Sequence, residues 1–238
     1  MIRWVGFDAD DTLWQSQSYF DAAQEAYEQI LSRYLDVADD RVHAHLLETE
    51  RRNVRFFGYG AKGMILSMLE AAVALTEERI SGADVRHILE LGMDVLQHPV
   101  ELLPGAREAV EQVARHYEIV LITKGDLHHQ ERKVAESGLN TLFHHIEIVS
   151  EKDPPTYARL FAEFGCAAEE FAMVGNSLRS DIAPVVELGG WGIYMPYHST
   201  WSLETDPHFA VDNPRVIQVS TASSIPTALD QLGALARR

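Results

Sequence analysis

The sequence predicts an α/β fold: a Rossmann-like, doubly wound parallel sheet with an inserted α-helical cap domain. Three observations predict it. Short, nearly continuous apolar segments alternate with longer helical stretches, the pattern of a parallel sheet covered on both faces. Between residue 15 and about residue 99 the alternation stops and helices alone are legible. At Leu102-Leu103-Pro104-Gly105 the alternation resumes.

The first strand, Ile2–Phe7, is rich in β-branched and aromatic residues and ends in the acidic run Asp8-Ala9-Asp10-Asp11. Four helices follow and make up the insertion: Ser18–Leu35, Asp40–Glu50, Lys62–Ala74 and Ala83–His98. Gly105–Arg115 then reads as a helix leading into a second strand, Tyr117–Thr123. Leu127–Ser137 is the next helix and Ile146–Val149 the third strand. Pro155–Phe164 leads to the fourth strand, Phe171–Val174, and Leu178–Leu188 to the fifth, Gly192–Met195. Val216–Val219 and Ile225–Leu235 complete the pattern as a last strand and a closing helix. Crossovers between parallel strands should be right-handed. Residues 1–14 and 100–238 are thus expected to form the α/β core, and 15–99 the cap.

With 238 residues, 46% of them hydrophobic, the chain can bury a full core. Twenty Lys+Arg against 36 Asp+Glu give a formal charge of −16, which disfavours non-specific contact with nucleic acid or an anionic membrane and says little else about function. The single cysteine, Cys166, permits neither an intrachain disulfide nor a cysteine-based zinc site and reads as a small apolar residue. MIRWVGFDAD turns acidic too soon for a signal peptide, and no apolar run reaches membrane length, so a cytoplasmic location is expected.

Ligands of open α/β sheets bind beyond the carboxyl ends of the strands. There the sequence places, strand by strand, Asp8, Asp10 and Asp11; Thr123 and Lys124; Lys152; and Asn176, Ser177 and Asp181. Asp8, Asp181 and Asn176 offer the hard oxygen ligands that Mg²⁺ prefers. Thr123 and Lys152 offer a donor and a positive charge for phosphate oxygens, and one carboxylate remains for proton transfer.

These four segments resemble the motifs of the haloacid dehalogenase-like hydrolase superfamily, in its phosphatase branch with a helical cap. The motifs appear in order as Asp8, Asp10 and Thr12; Thr123; Lys152; and Gly175, Asn176 and Asp181. The resemblance implies that Asp8 attacks phosphorus and that Asp10 serves as general acid and then base. It implies a Mg²⁺ held by Asp8, the Asp10 carbonyl and Asp181, with Thr123 and Lys152 clamping the transferring group. Backbone amides around Asp11 and Lys124 would assist in binding substrate. Asn176 departs from the family's usual Asp and brings no charge to the metal.

The expected activity is hydrolysis of a small phosphate monoester. A phosphomutase or phosphonatase shares the core, and phosphonate cleavage would draw on Lys62 of the cap. Dehalogenation needs neither magnesium nor an acid two residues after the nucleophile, so Asp10 argues against it. A non-catalytic binding protein would be expected to have lost Asp8, Asp10 or Lys152. The paired histidines, His128/His129 and His144/His145, lack chelating geometry, since adjacent helical residues face apart. Residues 51–62, RRNVRFFGYGAK, hold four positive charges and no acid. They read either as a solvated helix end with a packing loop or as a substrate-specificity segment in which Arg55 and Lys62 meet an anionic group.

Overall fold

The computed structural model describes residues 1–37, 41–199, 201–205, 209 and 213–237. Two compact units are present: Met1–Gln17 with Val100–Lys124 and Gln130–Arg238, and Ser18–Pro99 with Gly125–His129. Among the described residues no helix is long and apolar enough to cross a membrane.

The first unit is built on β1 (Trp4–Phe7), β2 (Glu118–Lys124), β3 (His145–Val149), β4 (Phe171–Gly175), β5 (Trp191–Tyr194) and β6 (Val216–Gln218). They form one sheet in the order β3-β2-β1-β4-β5-β6, with every pairing parallel. β1 lies inside the sheet, with the chain winding outward to β2 and β3 on one side and to β4, β5 and β6 on the other. That reversal beside β1 opens the crevice in which doubly wound sheets bind ligands.

Alternate residues of each strand enter opposite faces. Val5, Phe7, Ile119, Leu121, Ala172 and Val174 pack with α5 (Ala106–Ala114) and α9 (Ile225–Leu235). Trp4, Val120, Ile122, Phe171 and Met173 pack on the other face with α7 (Pro154–Phe164) and α8 (Ala183–Glu187). Each central strand is therefore apolar on both sides, which gives the continuous apolar runs of the sequence their physical cause. The expected helix from Leu178 begins instead as a wider π-type turn, Leu178–Ile182, before α8. α6 (Leu127–Ser137) belongs to this unit from Gln130 onward.

The second unit holds α1 (Gln17–Leu31), α2 (Arg41–Phe57), α3 (Ala61–Leu75) and α4 (Gly82–Gln97). Its own core gathers Tyr27, Leu31, Leu46, Met68 and Ile88. α3 and α4 approach closely at Gly92, where an added Cβ would fall 1.9 Å from the Ile65 side chain. Ser81 caps α4 by accepting from the Asp84 amide at 3.1 Å. The expected start of the second helix, Asp40, lies outside the described residues. That helix does not end at Glu50. It runs on to Phe57 because Asn53 is buried and donates to Ser67 Oγ at 3.2 Å and Glu70 at 2.7 Å. It stops where Gly58 takes the left-handed conformation, φ 72°.

Candidate active site

β1 passes directly into the site, since the Asp8 amide still donates to the Val174 carbonyl at 2.9 Å. The chain then folds back tightly. Thr12, Leu13 and Trp14 all direct their amides to the Ala9 carbonyl, at 3.3, 2.8 and 3.3 Å. Asp11 occupies the left-handed region, φ 62°, at the apex. Its amide donates to the Trp14 carbonyl at 2.7 Å, and its carboxylate accepts from the amides of Ser16 (2.9 Å) and Gln17 (3.0 Å). Burial, and then the charge of Asp10, pushes the Asp11 carboxyl up to about 7. Expected to bind substrate, Asp11 instead spends both its amide and its carboxylate on shaping this loop.

Asp8 is buried and its two oxygens are held separately. Oδ1 accepts from Lys152 Nζ at 2.5 Å and Oδ2 from the Thr12 hydroxyl at 2.9 Å. That hydroxyl also lies 3.4 Å from Asn176 Oδ1, which brings the amide into the same cluster. Lys152 precedes α7, whose start is set by Asp153 accepting from the Thr156 amide at 2.9 Å and by Pro154 and Pro155 in the first turn. Its ammonium, also buried, reaches Asp181 Oδ1 at 2.7 Å. Burial pushes the Asp8 carboxyl up to about 7, against the pull of Lys152 and with the repulsion of Asp181. Burial opposes the Lys152 charge too, but Asp181 and Asp8 outweigh it and hold the ammonium protonated.

Asp181 comes from the π-type turn after β4, and its second oxygen accepts from the Ser177 amide at 3.0 Å. The carboxylate lies against the backbone of Gly175, where a Cβ would fall 2.2 Å from Oδ2 and 2.3 Å from Cγ. A glycine at the end of β4 is thus a steric requirement of this position.

Asp10 is held by a different set of donors. Trp14 Nε1 donates at 2.6 Å, Gln130 Nε2 at 3.1 Å, and Lys133 Nζ touches both oxygens at 2.6 and 2.8 Å. Burial works to raise the Asp10 carboxyl, but the Lys133 charge, with these hydrogen bonds, holds it below the usual carboxylate range. The Gln130 amide also donates to Thr123 Oγ1 at 2.7 Å and to the Lys124 carbonyl at 2.8 Å.

Hydrogen bonds therefore join Asp8, Lys152, Asp181 and, through Thr12, Asn176 in one set, and Asp10, Gln130, Lys133 and Thr123 in a second, at the ends of β1, β2 and β4 and the start of α7. The Lys124 ammonium is committed to Glu204 (2.6 Å), Ser180 Oγ (2.8 Å) and Glu151 (3.2 Å). Lys62 makes a two-pronged ion pair with Asp126, 2.9 Å to each oxygen, within the helical unit. Arg55 lies on α2 in an open groove of about 530 Å³ together with Arg51 and Arg52.

Lys133, Gln130 and Glu204 were not legible as site residues. Gln130 and Lys133 share a face of α6, three residues apart, and a buried Gln–Lys pair on a helix next to Thr123 was the available signal. Glu204 closes a single 3₁₀ turn, Ser202–Glu204, beyond β5 and offered none.

Among the described residues no three His, Cys, Asp or Glu side chains converge as a metal site. The oxygen set around Asp8 is two carboxylates, Asp8 and Asp181, with the Asn176 amide. A carboxylate has about four acceptor sites, and the two here show two hydrogen bonds each, so both retain capacity. Hard oxygens with one or two carboxylates, waters completing the shell, suit Mg²⁺.

A family model described as haloacid dehalogenase-like hydrolase matches residues 2–189. The chain belongs to the haloacid dehalogenase-like hydrolase family. A solved haloacid dehalogenase-like family hydrolase from Xanthomonas campestris is 53% identical, with a TM-score of 0.89 over 100% of this chain and 94% of that one. A 2-haloacid dehalogenase from Pseudomonas syringae is 20% identical (TM-score 0.64, 97% and 99% of the two chains). A predicted phosphoglycolate phosphatase from Haemophilus somnus is 19% identical (TM-score 0.64, 96% and 98%). These last two share the haloacid dehalogenase-like fold with this chain, and they are named for different activities. No curated protein matches the sequence.

Proposed function

We propose that this hydrolase releases inorganic phosphate from a small phosphate monoester through a covalent aspartyl phosphate on Asp8, with Mg²⁺ as its cofactor. The observation that carries the reading is a second acid, Asp10, two residues from Asp8 on the same loop and held by its own donors, Trp14, Gln130 and Lys133. Attack on carbon with loss of halide needs one carboxylate; hydrolysis of a phosphate ester with an alkoxide leaving group needs a nucleophile and a proton carrier.

Asp8 is stripped of water and aligned by Thr12 and Lys152, as a nucleophile must be. Its free lone pair attacks phosphorus as the bond to the leaving oxygen breaks; the phosphate dianion arriving beside Asp10 raises that carboxylate's affinity for a proton, and the proton it takes up from solvent passes to the leaving oxygen. The Thr123 hydroxyl and the Lys152 ammonium stabilise the phosphoryl oxygens. In the second half, Asp10 takes a proton from the attacking water, the bond from phosphorus to Asp8 breaks, and phosphate leaves. Asp8, Asp181, Asn176 and the Asp10 carbonyl would hold Mg²⁺, which when bound offsets the negative charge of the phosphoryl group.

A second reading, halide displacement from a 2-haloacid by Asp8, is favoured by one observation: Lys152 bridges Asp8 and Asp181 and supplies a cation without a metal. Phosphate and halide release from panels of phosphorylated metabolites and 2-haloacids separates the two. Phosphate release that EDTA and Asp8→Asn both abolish is expected, with the melting temperature of the variant retained. Halide release indifferent to EDTA would replace this reading with the second.

A further inference from the structure

We propose that Lys133 is a positioning residue for Asp10, fixing the orientation of the carboxyl group that passes a proton to the leaving oxygen and takes one from the attacking water; the inference rests on the phosphatase reading above. Lys133 is buried on α6, its side chain 8% exposed. Lysine is rarely buried without a partner, because its ammonium loses hydration that a single hydrogen bond does not replace. Here both polar contacts go to Asp10, one to each oxygen, at 2.6 and 2.8 Å.

The geometry reaches beyond an ion pair. An aspartate on a tight turn can rotate about two side-chain bonds, and one donor leaves one of those rotations free. Asp10 is gripped from two directions, by Trp14 of its own loop and by Lys133 and Gln130 of a helix more than a hundred residues later. Gln130 also holds the Thr123 hydroxyl, at 2.7 Å. One side-chain amide therefore sets the distance between the proton carrier and a group that holds the phosphoryl oxygens. Lys133 completes this frame from a rigid element, and such frames confer the alignment on which general acid catalysis depends.

The test is a double-mutant cycle between Lys133→Met and Asp10→Asn, run on an alkyl phosphate and on p-nitrophenyl phosphate with Mg²⁺ present. Misplacement by ~1 Å costs about a hundredfold in rate, so Lys133→Met should lower kcat on the alkyl phosphate by about ten- to a hundredfold. On p-nitrophenyl phosphate, whose leaving group needs no proton, the loss should be under about threefold. KM should stay within about twofold on both. Lys133→Arg, which restores the charge and a hydrogen-bonding head, should recover most of the rate. In the Asp10→Asn background Lys133→Met should cost nothing further, since the two act as one unit.

Equal losses on both substrates, or full additivity in the cycle, would overturn the proposal and leave Lys133 with a structural or phosphate-binding role. Should Lys133→Met fail to fold, Lys133→Gln enters the same cycle under the same criteria. Asp10→Asn turning over the alkyl phosphate at the wild-type rate would instead bring down the acid–base role of Asp10. An impaired Asp10→Asn beside an unimpaired Lys133→Met would bring down the positioning role alone.

Discussion

Gly175→Ala tests whether the site depends on where Asp181 stands. The added Cβ would lie 2.2 Å from Asp181 Oδ2, 2.3 Å from Cγ and 2.5 Å from Cβ. Ordinary contact begins at 3.4 Å, so the carboxylate must retreat by about 1.2 Å. The backbone cannot easily yield in its place. Gly175 ends β4, pairs in register with Tyr194, and accepts from the Met195 amide at 2.9 Å. A retreat of that size breaks the 2.7 Å contact with Lys152 and the 3.0 Å bond from the Ser177 amide. Overpacking costs about 1–3 kcal/mol of stability, which a domain of this size can bear. The chemical cost appears directly in rate, because a shift of ~1 Å in a catalytic group is worth about a hundredfold. We expect phosphate release to fall by about that factor while urea denaturation shows a folded, mildly destabilised protein. Gly82→Ala is the control: its Cβ meets nothing within 4 Å at the start of α4, and it should be neutral or stabilising by about 0.5–1 kcal/mol. Gly175→Ala retaining more than a third of wild-type activity would show that the position of Asp181 is not critical.

Three further outcomes are expected. Burial pushes Asp8 up to about 7, well above its unfolded value, so the folded state holds that proton more tightly and loses stability as pH rises from about 4 to about 7. In EDTA, wild type should therefore lose stability relative to Asp8→Asn by on the order of 1 kcal/mol per pH unit across that range. Mg²⁺ should raise the wild-type melting temperature more at pH 8 than at pH 5.5, because protons compete for Asp8; equal shifts at both would place the metal elsewhere. Arg55→Ala, on the arginine groove of the helical unit, should lower kcat/KM about tenfold for the preferred anionic metabolite and leave p-nitrophenyl phosphate unchanged. Equal effects on both substrates would return the groove to solvated surface.

The fold was legible because its signals were long and redundant. Strands buried on both faces produce apolar runs that cannot be mistaken for exposed segments, and each expected strand lies within two residues of its observed bounds. The extent of α2 was harder to read, since Arg51-Arg52 and the aromatics after them look like a boundary until the bond from buried Asn53 to Glu70 is seen. Within the site, residues next to strand ends could be read from spacing alone. The ion pairs could not. Lys124 was drawn away by Glu204, which arrives from a segment with no periodicity, and Lys133 entered from the middle of a helix whose polar composition resembles a solvated one. Sequence shows where a charge sits along the chain; which opposite charge neutralises it is settled by tertiary contact.

The place of β1 inside the sheet has a consequence for folding. Trp4–Phe7 pairs on one side with Glu118–Leu121 and on the other with Phe171–Val174. During synthesis this strand, apolar on both faces, waits for more than a hundred residues before its first partner exists. The helical unit between them can meanwhile condense on local contacts, which form faster than pairings distant in sequence. Folding should then show two phases, an early helical one and a slower one limited by β1 docking between β2 and β4. Until that second step the strand presents two unpaired edges, so it is where a crowded or overheated preparation should begin to aggregate.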